Sequence, residues 1–236
     1  GVQESAEFSF IPLLKEQPIV VYGTSIVQGA CASRPGMAWT NILSRKLDYP
    51  VINLAYSGNG PLEKVKVDMI NELDASLIIY DCLPNMINLT DDEVKKRTAY
   101  GVSAIREKSN VPILITDHIG YLNEEMIVGR KEMVERVNRA SHEVFDSLKQ
   151  AGVTDIYYLS QDSLNFPADG AVDYIHPNDM GMQVYADSYE KVVRRILNMP
   201  VGEFATTQPV SQRREPYIYE WKKRHRDKLE LIEGEE

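Results

Sequence analysis

The sequence predicts an α/β fold: a five-stranded parallel sheet with helices on both faces. Three observations predict it. Five short apolar runs alternate with longer stretches of helical periodicity, the pattern of repeated strand–helix units. The first three runs end in small or polar residues, as strand ends of a parallel sheet do where ligands bind. The length of 236 residues, 43% of them hydrophobic and 26% charged, suits one large domain of this kind.

The elements follow in order. Residues 1–17 read as a lead-in, and a domain is expected over 18–198. Ile19-Val-Val-Tyr22 is a short buried strand broken by Gly23, and Thr24-Ser25 follow at its carboxyl end. Trp39, Ile42, Leu43 and Leu47 share one face of a helix over about 36–47. A second strand covers 51–55 and ends in Tyr56-Ser-Gly-Asn-Gly60. Residues 61–73 predict a helix with Val65, Met69, Ile70 and Leu73 inward. The third strand, 77–80, ends in Asp81-Cys-Leu-Pro-Asn85. Thr90-Asp-Asp-Glu93 is a capping box that opens the next helix, running to about Lys108. A strand at 112–116, a long helix over 124–150 stopped near Gly152, and a fifth strand at 156–159 come next. A loop rich in Asp, Asn, Pro and Gly then leads to a last helix, 182–197. Beyond Met199 the chain turns polar and charged, and 199–236 is either a packed arm or a linker to a following module.

Composition excludes some functions. The net charge of −9 leaves no basic face for nucleic acid or an anionic membrane, and no apolar run reaches the length of a membrane span. Two cysteines, Cys31 and Cys82, make neither a disulfide framework nor a zinc site. Both fall near strand ends, as free thiols or, in an oxidising compartment, as a pair. No metal site and no cofactor are expected, because no cluster of His and Cys has ligand spacing. The chain opens on Gly1 without an apolar leader. The expectation is an exported protein, periplasmic or extracellular, with its signal removed.

Ser25 after the first strand is either a helix N-cap or a nucleophile, which needs an adjacent base. Asp173-Tyr-Ile-His176-Pro177, just before the last helix, supplies one: His176 as base and later acid, Asp173 to fix its tautomer. The Ser25 and Gly58 amides and the Asn85 side chain would surround a developing oxyanion. Arg34 either binds a polar or anionic substrate group or makes a surface ion pair. His118 either lines the cleft as a rival base or belongs to a capped turn. The serine does not sit in Gly-x-Ser-x-Gly, and no Lys-Ser/Thr follows Gly29, so neither a nucleophile elbow nor a P-loop is indicated.

Gly23-Thr-Ser25, Gly58, Asn85 and Asp173-x-x-His176-Pro177 resemble, in order, the four blocks of the SGNH (GDSL-type) hydrolase superfamily. The first block reads Gly-Thr-Ser-Ile rather than Gly-Asp-Ser-Leu, and Asn85 is flanked by Leu-Pro and Met rather than Gly-x and Asp. Cys31–Met37, Asp81–Met86 and His176–Met182 are most similar to a bacterial, Bacteroidetes-like subgroup of GDSL-like lipases and acylhydrolases. The resemblance implies a three-layer α/β/α sandwich of flavodoxin-like order. It also implies metal-free hydrolysis of a small acyl ester, acetyl above all, plausibly on a carbohydrate. The tail from Pro209 resembles a lead-in to a second such domain, which would make further domains part of the full-length protein. The competing expectation is a carbohydrate- or partner-binding module that keeps the fold without turnover.

Overall fold

The computed structural model describes residues 16–200. The expected lead-in and C-terminal arm therefore lie, but for two residues each, outside the described residues. Strands β1 (Ile19–Gly23), β2 (Val51–Ala55), β3 (Leu77–Asp81), β4 (Ile113–Thr116) and β5 (Ile156–Leu159) form one parallel sheet in the order β2-β1-β3-β4-β5. The helices are α1 (Ser25–Gln28), α2 (Trp39–Leu47), α3 (Lys64–Ile70), α4 (Asp91–Arg106), α5 (Arg130–Gln150), α6 (Gln161–Leu164) and α7 (Asp179–Ile196). No described helix is long and apolar enough to cross a membrane.

Side-chain alternation along the strands builds two cores. Val20, Tyr22, Ile78, Tyr80, Ile113 and Ile115 point to the face covered by α3, α4 and α5. Ile19, Val21, Leu77, Ile79 and Leu114 point to the face covered by α1, α2 and α7. β1, β3 and β4 are buried along their whole length, which is why they read as unbroken apolar runs. The three-layer α/β/α sandwich is thus the observed architecture.

The strand order reverses at β1. The connection to β2 crosses one face through α2, whereas the connection from β2 to β3 crosses the other through α3. The two crossovers leave a crevice beyond the carboxyl end of β1, the place where ligands bind in such sheets. The chain there is pulled close: Tyr56 N donates to Gly23 O at 2.9 Å, and a Cβ at Gly60 would run into the Gly23 carbonyl.

Several boundaries differ from the expectation; α7 starts at Asp179 rather than Met182, under the cap of Asn178. α3 is shorter than 61–73 and buries Val67 and Ile70, while Val65 and Met69 face outward. The reason is position: β2 is an edge strand, and α3 covers only part of it. Met69 and Leu73 instead line a groove of about 230 Å³ with Leu54 and Tyr56. α5 starts at Arg130 because Gly129 turns left-handed (φ 79°) after a 3-10 turn at Glu124–Met126. α2 is preceded by a separate 3-10 turn, Pro35–Met37.

A buried acid ties the layers below the crevice. Asp81, the last residue of β3, is fully buried, and its Oδ2 lies 2.9 Å from Tyr189 Oη on α7. The same Tyr189 Oη lies 2.9 Å from Thr116 Oγ1 on β4, and the Tyr189 ring stacks on Trp39 at 4.1 Å. Burial pushes the Asp81 carboxyl up to about 7, with the Tyr189 hydrogen bond pulling the other way.

Two outcomes are expected. An acid whose folded pKa is raised favours the folded state at low pH, and that advantage disappears as pH climbs from about 4 to about 7. Asp81→Asn keeps an acceptor for Tyr189 and removes the ionisation. Its stability relative to the parent should rise across that window by roughly 3–4 kcal/mol and level off above it, as measured by urea unfolding at pH 4, 5.5 and 8. Gly60→Ala should destabilise by about 1–3 kcal/mol, because the clash is with backbone and not with a side chain that can move; thermal unfolding would report it.

Candidate active site

The position of Ser25 is built by the end of β1. Thr24, not Ser25, is the N-cap of α1: its Oγ1 accepts from Ile26 N at 3.3 Å. That division leaves the Ser25 hydroxyl for other work and makes its amide the first of the helix, without an intrahelical acceptor. α1 is a single turn closed by Gly29 in the left-handed region, so its dipole adds little. What the turn contributes is a fixed N–H beside a fixed Oγ.

Asp173 and His176 come from a tight hairpin between α6 and α7. Ala171 pairs with Pro177, and Val172 N donates to His176 O at 3.0 Å. Within it, Asp173 Oδ1 accepts from His176 N at 2.9 Å, and Asp173 Oδ2 lies 2.7 Å from His176 Nδ1. His176 Nε2 lies 2.8 Å from Ser25 Oγ. With Nδ1–H donated to the carboxylate, Nε2 is the nitrogen able to accept the serine proton. Burial raises the Asp173 carboxyl, but the backbone and ring N–H bonds from His176 outweigh it and hold the group below the ordinary range. The hairpin is anchored to α7 by Asn178, which caps the helix through Gly181 N and donates to Asp169 O.

Asn85 and Gly58 lie at the neighbouring strand ends. Asn85 Oδ1 accepts from Gly60 N at 2.9 Å, which fixes the amide and leaves Nδ2 as its free donor. Gly58 has φ 66°, a value that favours glycine, and a Cβ there would meet nothing within 4 Å. Its turn is braced from below by Lys66, whose Nζ donates to Asn59 O and lies 4.6 Å over the Tyr56 ring. Ser25, Gly58 and Asn85 thus follow β1, β2 and β3, three adjacent strands.

The remaining expected residues divide. Arg34 is exposed beside Asp179, the first residue of α7, which also accepts from Ser33 N and Oγ. His118 corrects its expectation. It is fully buried, its Nδ1 accepts from Gly120 N, and burial pushes it down to about 3. A neutral ring inside the core neither meets substrate nor carries protons. His142 pairs with buried Asp117 at 3.3 Å and stacks on Tyr158. Cys31 and Cys82 are free thiols: Cys31 lies near Asp173, and Cys82 packs in the core under α4. The sequence reading missed Gly60 and Asp81. The Gly-Asn-Gly spacing was a usable sign of the first; a lone Asp at a strand end gave no sign of burial.

The profile of the GDSL-like lipase/acylhydrolase family matches residues 16–194. A protein from Bacteroides ovatus ATCC 8483 classed as a GDSL-like lipase is 37% identical, with a TM-score of 0.72 over 78% of this chain and 54% of its own. The salicylyl-acyltransferase SsfX3 from a tetracycline biosynthetic pathway is 19% identical, with a TM-score of 0.70 over 80% of this chain and 57% of its own. A carbohydrate acetylesterase family member from Sinorhizobium meliloti is 17% identical, with a TM-score of 0.60 over 78% of this chain and 100% of its own. The last two likenesses are of fold. The chain spans little more than half the length of the first two structures. No curated protein matches. With the profile matched over most of its length, the chain belongs to the GDSL-like lipase/acylhydrolase family.

Proposed function

We propose that this chain hydrolyses carboxylic esters through an acyl-enzyme on Ser25. One observation carries the reading: the unbroken hydrogen-bonded chain from Ser25 Oγ through His176 to Asp173, at 2.8 and 2.7 Å. His176 Nε2 takes the Ser25 hydroxyl proton as Oγ bonds to the ester carbonyl carbon. The carbonyl π electrons move onto oxygen, where the Ser25 and Gly58 amides and Asn85 Nδ2 meet the charge. The intermediate collapses by breaking the bond to the alkoxide oxygen, which takes the proton back from His176. Water, deprotonated by the same nitrogen, then releases the acid and restores Ser25. Asp173 holds the tautomer and stabilises the imidazolium.

The acyl group in this reading is small, acetyl first. A carbohydrate alcohol draws support from the fold shared with the S. meliloti acetylesterase family member. Acetylated xylo-oligosaccharides beside simple alkyl acetates test that part.

Ser25→Ala should lower kcat on p-nitrophenyl acetate by a factor on the order of 10⁴, and a fluorophosphonate should label the parent on Ser25 but not the variant. A parent protein that neither labels nor turns over would leave only the binding-module reading. Asn85→Ala should cost about 10²–10³ in kcat with little change in KM; a loss below about threefold would remove Asn85 from the oxyanion site.

A further inference from the structure

Among the described residues, hydrogen bonds join the loop that carries Ser25 to the hairpin that carries His176 and to the start of α7 at two places. One is the bond between Ser25 and His176 themselves. The other is at the surface: Ser33 N donates to Asp179 Oδ1 at 2.9 Å, and Ser33 Oγ donates to Asp179 Oδ2 at 2.6 Å. Asp179 opens α7 three residues after His176, and Ser33 lies between α1 and the Pro35–Met37 turn.

Each oxygen of this carboxylate takes one donor of a single residue. A two-point, charge-assisted contact fixes orientation as well as distance. The Ser33 hydroxyl and then its amide pull the Asp179 carboxyl below the ordinary range, and Arg34 adds to them. Both ends are held from behind. Asn41 Nδ2 and Arg45 Nη2 on α2 donate to Pro35 O and Gly36 O at 2.8 and 2.7 Å, which seats the Ser33 loop. Asn178, next to Asp179, caps α7 and donates to Asp169 O ahead of the hairpin.

The chemistry leaves the second contact a task that the first cannot perform. Acylation turns Ser25 Oγ into an ester oxygen without a proton, and His176 has by then passed its own proton to the departing alcohol. The direct bond between loop and hairpin is therefore gone in the acyl-enzyme. Nε2 must still take a proton from the water that bonds to the acyl carbon, and must return it to Oγ as the bond from that carbon to Oγ breaks. Resting on the ester-hydrolase reading above, we propose that Ser33 and Asp179 are positioning residues, whose paired hydrogen bonds keep the His176 hairpin in register with the Ser25 loop while Ser25 is acylated. They act through His176, and their effect falls on deacylation.

The test uses p-nitrophenyl acetate, whose phenolate leaves without a proton from His176, so acylation makes the lighter demand on the hairpin. In Asp179→Ala, deacylation should slow about tenfold. Then kcat and KM fall together, while kcat/KM stays within about twofold of the parent. Intact mass of acid-quenched steady-state samples should show a larger share of protein carrying one acetyl group. A fluorophosphonate should label Ser25 at close to the parent rate in this variant, reporting a folded site. Asp179→Asn should recover most of the loss, because its oxygen still accepts from Ser33 N and its amide nitrogen donates to Ser33 Oγ. Ser33→Ala, which keeps the amide bond, should fall between, and should cost nothing further once Asp179 is replaced by Ala. An acetyl-enzyme share equal to the parent's in both Ala variants, or a fall in kcat/KM as large as that in kcat, would overturn this inference and leave the esterase standing. No turnover and no labelling of the parent would overturn both.

Discussion

The reversal of strand order at β1 is the constraint on which the rest depends. A right-handed crossover to β2 on one face and another to β3 on the opposite face must diverge at the end of the strand between them. The crevice so formed is narrow, because β2 returns to hydrogen-bond Gly23 through Tyr56 N and packs Gly60 against the same carbonyl. Only glycines permit that approach. Ser25, two residues past Gly23, therefore stands in the crevice with strand ends on both sides.

His176 is placed differently. His176 and Asp173 stand on no strand; they occupy a hairpin held by its own short-range bonds and by the cap of α7. The packing of α7 on α2 and the sheet, through Trp39, Tyr185 and Tyr189, sets where that hairpin comes to rest. Buried Asp81 joins β3 to the same helix through Tyr189. Ser25, Gly58 and Asn85 thus follow strands of the sheet, whereas His176 sits on a hairpin carried by one helix docked against it. The 2.8 Å meeting of Ser25 and His176 is a property of the packed core.

Much of this was legible in the residues. A buried apolar run ended by glycine locates Ser25, since a fully covered parallel strand leaves no polar positions until it leaves the sheet. Asp173-x-x-His176 is legible because a three-residue spacing lets one carboxylate reach both the amide and the ring of the same histidine. The burial of α3 was not legible. Val65 and Met69 share one helical face and Val67 and Ile70 another, and the choice between them depends on how little of the edge strand the helix covers. His118 was left open between cleft and capped turn for a similar reason: a strand-end histidine looks alike whether it faces the cleft or, as here, turns into the core and accepts from Gly120 N.

By itself the sequence determined the alternation of strands and helices, the strand ends that carry chemistry, and the local pairing of Asp173 with His176, because each depends on neighbours a few residues away. Tertiary structure alone decided the rest. It chose Thr24 over Ser25 as the cap, fixed the Asn85 amide through Gly60, buried Asp81 and His118, and brought His176 to Ser25 across 151 residues of chain. Those outcomes follow from which crossover covers which face of the sheet, and periodicity carries no record of that choice.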